Sequence, residues 1–296
     1  NRQISWEQSV FILMKVSIII PTYNNLEYLN FLLFSINKNS NYDHEIILHI
    51  NNGSDGSLDF AKENFIKYSY SDDNIGLCSS VNAAAKLSTN NYILYCHDDM
   101  FFCKNWDLFL ETEVNKHKNN LFYLTGTNVS INNGLINYDC GDIPKNFNKI
   151  KFDEFCKNNI SPDLQGSHWA PHLVHKELWD KVGGFSEEFN PGDGSDPDFC
   201  MKLWKNNVRI FKCISQFKVY HFNSITTRKS NIKLNNGTRQ FLLKYGFNPR
   251  FFRKYYLKGN NLSNYIDKLN EPKISIIMFF ELITNKFKYF YFKILS

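Results

Sequence analysis

Lys15-Val16-Ser17-Ile18-Ile19-Ile20-Pro21-Thr22-Tyr23-Asn24-Asn25 is the stretch that decides the fold. An apolar strand is stopped by a proline turn, and the helix that follows carries Leu26, Leu29, Leu33 and Ile36 on one face. The same unit then repeats. Glu45-Ile46-Ile47-Leu48-His49-Ile50 is a second strand, and Asn51-Asn52-Gly53-Ser54-Asp55-Gly56-Ser57 is a turn rich in residues that tolerate positive φ and cap helices. Leu58, Ala61 and Phe65 follow at helical spacing, and Asn74-Ile75-Gly76-Leu77 opens a further helix with Val81, Asn82, Ala85 and Leu87. The alternation βαβαβαβ predicts an α/β protein with a mainly parallel sheet and helices on both faces.

The fourth strand of this series, Tyr92-Ile93-Leu94-Tyr95, runs through Cys96-His97 into Asp98-Asp99. In an open parallel sheet the carboxyl ends of the strands border a crevice that no helix covers, so ionised groups there can face a ligand. Adjacent acids repel unless a cation lies between them. Oxygen ligands suit Mg²⁺ or Mn²⁺, and such an ion can hold a diphosphate, which points to metal-assisted chemistry on a nucleotide. The competing reading makes Asp99 the cap of a helix starting near Trp106, or a residue of a solvated loop.

Five motifs in order, SIIIPTYNN, NNGSDGS, NIGLCSSVNAA, YILYCHDDM, and VGGFSEEF with SDPDFCMKL, resemble the family 2 glycosyltransferases of the GT-A fold, a Rossmann-like architecture. The resemblance spans about Lys15 to His221. It implies an inverting enzyme that uses a nucleotide-sugar donor with Mn²⁺ or Mg²⁺. Carried over by motif, Pro21, Thr22 and Tyr23 would line the base pocket and Asn51 would face the uracil edge. Asn74 and Gly76 would border the donor, Asp98 would approach the ribose or the metal, and Asp99 would ligate the metal. Two positions depart from the family pattern. Asn51 stands where the family usually has Asp, so the nucleobase stays open, since an amide offers both acceptor and donor. His97 occupies the first acidic place of the usual Asp-x-Asp motif; the Asp-Asp form is a variant of the same family.

The second half supplies candidate chemistry. Val182-Gly183-Gly184-Phe185-Ser186-Glu187-Glu188-Phe189 breaks a helix and passes through Asn190-Pro191-Gly192-Asp193-Gly194-Ser195 into Asp196-Pro197-Asp198-Phe199. Asp196 reads as an N-cap with Pro197 at the first helical position. Within the resemblance Asp196 matches the catalytic base, with Asp193 as the alternative. A helix N-terminus favours the ionised carboxylate, and burial under an acceptor would raise its pKa. Val208 to Cys213 and Phe217 to His221 read as two short strands, the second ending on His221, which GT-A proteins often use to close the metal site; the competing reading is a hydrogen-bonded structural histidine. Arg228, after Thr226 and Thr227, is a candidate diphosphate clamp or a solvated charge. His168 and Trp169 lie where such enzymes admit the acceptor; a core tryptophan is the alternative.

The chain has 296 residues, 43% of them apolar, enough for one large core without requiring two domains. A net charge of +5, spread along the chain, gives no ground for nucleic-acid binding. Seven cysteines, an odd number without a C-x-x-C pair, fit reduced thiols in a cytoplasmic compartment better than a disulfide framework or a zinc site. The expected organisation is an N-terminal extension over residues 1–13, a nucleotide-sugar-binding half over 14–125, an acceptor-binding and catalytic half over 126–234, and a helical aromatic and basic extension over 235–296. Met14-Lys15-Val16 resembles a natural start, and Val10 to Met14 is too short for a membrane span. In the C-terminal extension, Phe241 to Gly246 and Phe251 to Tyr256 read as short helices. Ile274 to Ile283 is apolar but interrupted by Glu281, and Asn285 to Ser296 alternates Lys with Phe and Tyr. That end suits a membrane surface, docking on its own domain, or a dimer mate.

These readings together describe a metal-dependent inverting glycosyltransferase acting on a glycan or lipid-linked acceptor, with a UDP-sugar as the first expectation for the donor. The alternatives are a catalytically silent nucleotide- or glycan-binding module and a nucleotidyltransferase.

Overall fold

The computed structural model describes residues 14–166, 169–223, 235–259 and 264–294. Residues 1–13, His168 and Arg228 lie outside the described residues. The first half follows the βα alternation: β1 (Val16–Tyr23), α1 (Leu26–Asn39), β2 (Glu45–Asn51), α2 (Ser57–Glu63), β3 (Lys67–Ser71), α3 (Leu77–Ala85) and β4 (Tyr92–Tyr95). The strands β1 to β4 pair in parallel in the order β3-β2-β1-β4. Ile18, Ile19 and Ile20 of β1 are all fully buried, as a strand covered on both faces requires.

Two local readings need correction. Pro21 does not stop β1, which runs on to Tyr23. Pairing with β4 ends at Ile19 opposite Tyr95, and the Ile19 carbonyl accepts from Cys96 N at 3.1 Å, so two residues further on Pro21 has no ladder on that side to lose. Phe65 lies beyond the end of α2 with φ of 54° and is 94% exposed, so it is not part of that helix's packed face.

The second half is mixed rather than mainly parallel. It comprises β5 (Met100–Phe102), α4 (Trp106–Val114), β6 (Phe122–Ser130), β7 (Ile136–Asn137), α5 (Lys149–Asn158), β8 (Leu164–Gln165), β9 (His172–His175), α6 (Lys176–Val182), α7 (Ser195–Lys205) and β10 (Ile210–His221). The sheet continues β4-β9-β6-β10-β5, with β9 antiparallel to both its neighbours and β5 antiparallel to β10. A division at residues 125 and 126 falls inside β6, and both halves share this one sheet. The two strands expected over 208–221 are a single strand, β10, whose register against β6 jumps between Ile214 and Lys218.

The C-terminal segment forms α8 (Gly237–Tyr245), α9 (Pro249–Phe251), a π turn over Phe252–Tyr256, and α10 (Ile276–Ile294). No described helix is long and apolar enough to cross a membrane. The segment is fastened to the body through α7. Asp198, fully buried, accepts from Tyr245 Oη at 2.7 Å and Ser186 Oγ at 2.6 Å and pairs with Lys244 Nζ at 2.8 Å. Removing the carboxylate would strand a phenol and a half-buried ammonium. Asp198→Ala should therefore lower unfolding free energy by about 2–4 kcal/mol in urea titrations; a change within about 0.5 kcal/mol would show that the extension is held elsewhere.

Candidate active site

Chain order reverses where β1 sits between β2 and β4, and ligands of open α/β sheets bind in the crevice at such a point. The C-terminal ends of β1 and β4 meet there through Thr22, whose Oγ1 donates to Asp98 Oδ2 at 2.7 Å. The Tyr23–Asn51 register pair lies at the next edge. Asn51 is buried and its amide is heavily engaged. Nδ2 donates to Thr22 O at 3.2 Å and Ser80 Oγ at 3.0 Å, and Oδ1 accepts from Ile75 N at 3.0 Å and Ser71 Oγ at 3.3 Å. The side chain thus ties β1, β3 and the start of α3 together, and contact with a base edge would require exchanging one of these bonds. Asn74 Oδ1 accepts from Gly76 N at 2.9 Å, a local turn. Gly76 has φ of 83°, and a Cβ there would come within 2.5 Å of Asn190 Oδ1. Asn190 Oδ1 in turn accepts from Cys78 N at 2.9 Å, so the N-terminus of α3 is closed by a protein side chain.

Asp99 is not the cap of α4. The N-cap of that helix is Asn105, and β5 intervenes. The antiparallel pairing of β5 with β10 sets Met100 opposite His221, which brings His221 Nε2 to 3.0 Å from Asp99 Oδ1. His97 Nδ1 lies 3.3 Å from the same His221 nitrogen. The three ligand atoms of His97, Asp99 and His221 lie within 4.8 Å of one another, the one such group of three among the described residues. A single His221 nitrogen faces an imidazole and a carboxylate with at most one proton between them, whereas a cation would engage all three lone pairs. The residues therefore fit a metal. The donor set is two imidazoles and a carboxylate, which departs from the all-oxygen set that suits Mg²⁺.

The electrostatics suit this. Burial, helped by His221, pushes His97 down to about 4, so at neutral pH its ring is uncharged and able to ligate. Burial and the neighbouring Asp99 push Asp98 up to about 7, against the opposing hydrogen bond from Thr22. His97 was the residue whose role the motif reading left without chemistry. The signal was there, since it fills the first acidic place of the motif.

Asp196 lies in the first turn of α7. Its charge is felt by Tyr95 at the end of β4 and by Cys78 at the start of α3. It is not the cap: Gly194, with φ of 85°, is the N-cap, and Asp196 and Pro197 are the second and third helical residues, where a missing N–H costs nothing. Asp196 Oδ1 is buried with no hydrogen-bond partner, and burial alone pushes the carboxyl up to about 7. Asp193 is committed elsewhere. Its Oδ2 accepts from Gly237 N at 2.8 Å and its N–H donates to Asn235 Oδ1 at 3.0 Å, fastening the loop before α7 to α8. Trp169 is half-buried beside Ala170, whose carbonyl accepts from Asn128 Nδ2 at 3.1 Å.

Solved structures share this architecture. The crystal structure of S. aureus TarS 1-349 superposes with a TM-score of 0.55 at 17% identity, covering 78% of this chain and 65% of that one. The same fragment in complex with UDP gives 0.53 at 18% identity over 70% and 60% of the two chains. GalNAc-T7 with UDP, GalNAc and Mn²⁺ gives 0.55 at 14% identity over 76% and 45%. The chain spans 65% or less of the length of each of these, and at such identities the likeness establishes the GT-A fold. No curated protein sequence matches the chain. The sequence model of glycosyl transferase family 2 matches residues 17–181, more than half of the chain, and the protein belongs to that family.

If the triad holds the ion, His97→Ala and His221→Ala should each weaken Mn²⁺ binding by about tenfold or more in calorimetric titration. Parental affinity in both variants would return the histidines to a structural role.

Proposed function

We propose that the protein is an inverting glycosyltransferase that moves a sugar from a nucleotide-sugar, with UDP as the favoured carrier, to a hydroxyl of a glycan or lipid-linked acceptor. The observation that carries this reading is Asp196, an acid with a buried, unpartnered oxygen whose charge reaches Tyr95 at the end of β4, the strand that leads to Asp98 and the His97–Asp99–His221 triad. A structural carboxylate is hydrogen-bonded, like Asp193 and Asp198; one left bare is a proton acceptor in waiting. The TarS complexes with UDP and UDP-GlcNAc support the choice of carrier.

In this reading Asp196 takes the proton from the acceptor hydroxyl as that oxygen attacks the anomeric carbon. The bond from the anomeric carbon to the diphosphate breaks on the opposite face, and the leaving nucleoside diphosphate keeps the electron pair. One displacement with one base inverts the anomeric centre. When bound at the triad, Mn²⁺ would neutralise charge developing on the leaving diphosphate. Asp98, held by Thr22, would face the ribose side, and Arg228 is proposed as a second anion partner. Tyr23 would flank the base, Asn51 would hold that turn in shape, and His168 and Trp169 would meet the acceptor.

Asp196→Asn keeps size and removes basicity, so UDP and Mn²⁺ binding should be unchanged while transfer falls by about 10²- to 10⁴-fold. Parental turnover in this variant would overturn the single-base mechanism. The base works only when deprotonated. In the parent, kcat/KM should therefore rise with pH through about 7, set by the burial of Asp196, and level above it. A profile flat from pH 5 to 9 would place the base elsewhere; that interval is roughly two units either side of the expected midpoint.

A further inference from the structure

The helix α10 turns its apolar side away from the protein. Ile276, Phe280, Phe287, Tyr291 and Ile294, spaced four, seven, four and three residues apart, form one stripe along its length, and each is more than half exposed. The opposite side carries Met278 and Asn285, both buried. Asn285 Oδ1 accepts from Asn248 N at 3.0 Å, and the guanidinium of Arg239 on α8 lies over the Phe292 ring at 5.1 Å, so the inward side is fixed. At 100° per residue, Lys286 and Lys293 border the stripe on one side and Lys288 on the other.

An aromatic stripe flanked by lysines on a helix that cannot span a bilayer is the design of a helix lying in a membrane interface. The surface beside it is also basic. A cleft of about 280 Å³ between α9 and α10 is lined by Arg250, Lys254 and Lys288 against the single carboxylate of Glu281. From Lys273 to Ile294 the chain carries four lysines and one glutamate. A second copy of the same face would set lysine against lysine across a twofold axis, whereas an anionic headgroup layer complements them.

We propose that α10 is a membrane-surface docking helix, its stripe seated among acyl chains and its lysines, with the Arg250–Lys288 cleft, on anionic headgroup phosphates. Because α10 holds α8 and α8 is tied to α7 and the loop before it through Asp193 and Asp198, docking would fix the catalytic body relative to the bilayer.

The test is co-sedimentation of the full chain with phosphatidylcholine vesicles containing roughly a third phosphatidylglycerol, against phosphatidylcholine alone. The parent should bind the anionic vesicles and be released by salt. The triple variant Phe280→Ser, Phe287→Ser, Tyr291→Ser should lose about tenfold or more in partitioning while its thermal unfolding and UDP binding stay parental. Exchanging Lys286, Lys288 and Lys293 for Gln should remove the preference for anionic vesicles. Absence of binding to anionic vesicles, undiminished binding of the triple serine variant, or a solution dimer that this variant dissociates would overturn the proposal. UDP binding is read separately, so failure at the membrane and failure of the nucleotide reading are distinguishable.

Discussion

Two carboxylates adjacent in sequence, Asp98 and Asp99, are both more than nine-tenths buried, and the site is arranged around that repulsion. The fold separates them by direction. Asp98 turns to β1, where Thr22 donates to it, and Asp99 turns to β10, where His221 meets it. This divergence follows from the break in the backbone between β4, in parallel register with β1, and β5, antiparallel to β10. One acid is thereby turned toward β1 and the other toward His97 and His221. Residual strain appears as the raised pKa of Asp98, so a cation at Asp99 would relieve a cost already present in the folded chain.

The other half of the site depends on which aspartate is left unused. Asp193, Asp196 and Asp198 lie within six residues. Asp193 accepts from the first N–H of α8, that of Gly237, and Asp198 binds Tyr245, Lys244 and Ser186. Both are consumed in holding the C-terminal segment against α7. Gly194 makes the contact feasible, since a Cβ there would meet Gly237 Cα at 2.8 Å. The loop is closed on its other side by Asn190 against the N-terminus of α3. Asp196 is thus held from two directions while one of its oxygens stays bare.

The parallel half of the fold was legible because its strands are unbroken apolar runs separated by turn residues and amphipathic helices. The second half was not. β9 is four residues long with a histidine at each end, and β6 is interrupted by Gly126 amid Thr and Asn, so neither produces a periodic signal. β10 read as two strands because Ser215 and Gln216 break its apolar run, yet the chain absorbs them in the register jump against β6. Motif spacing singled out Asp98, Asp99 and His221, and the fold sets the last two 3.0 Å apart. Spacing could not show that Asn51 and Asn190 spend their amides on packing, because hydrogen-bond partners twenty or more residues away leave no trace in local pattern. The capping reading of Asp196 failed by two residues, since a glycine in left-handed conformation took the cap instead.

Asp98 and Asp196 are raised to the same range for different reasons, and the difference bears on the chemistry. Asp98 is raised by burial and also by the charge of Asp99, so a cation that neutralises Asp99 removes part of the cause and lets Asp98 ionise at lower pH. Asp196 is raised by burial alone, with no charged neighbour that metal binding would neutralise. An acceptor closing over it would bury it further and hold it up. A cation at Asp99 would therefore lower Asp98 through a cause that Asp196 does not share, and so draw the two acids apart. That separation suits one carboxylate to steady a ligand and the other to accept a proton, and it arises from where each side chain points rather than from any difference in residue type.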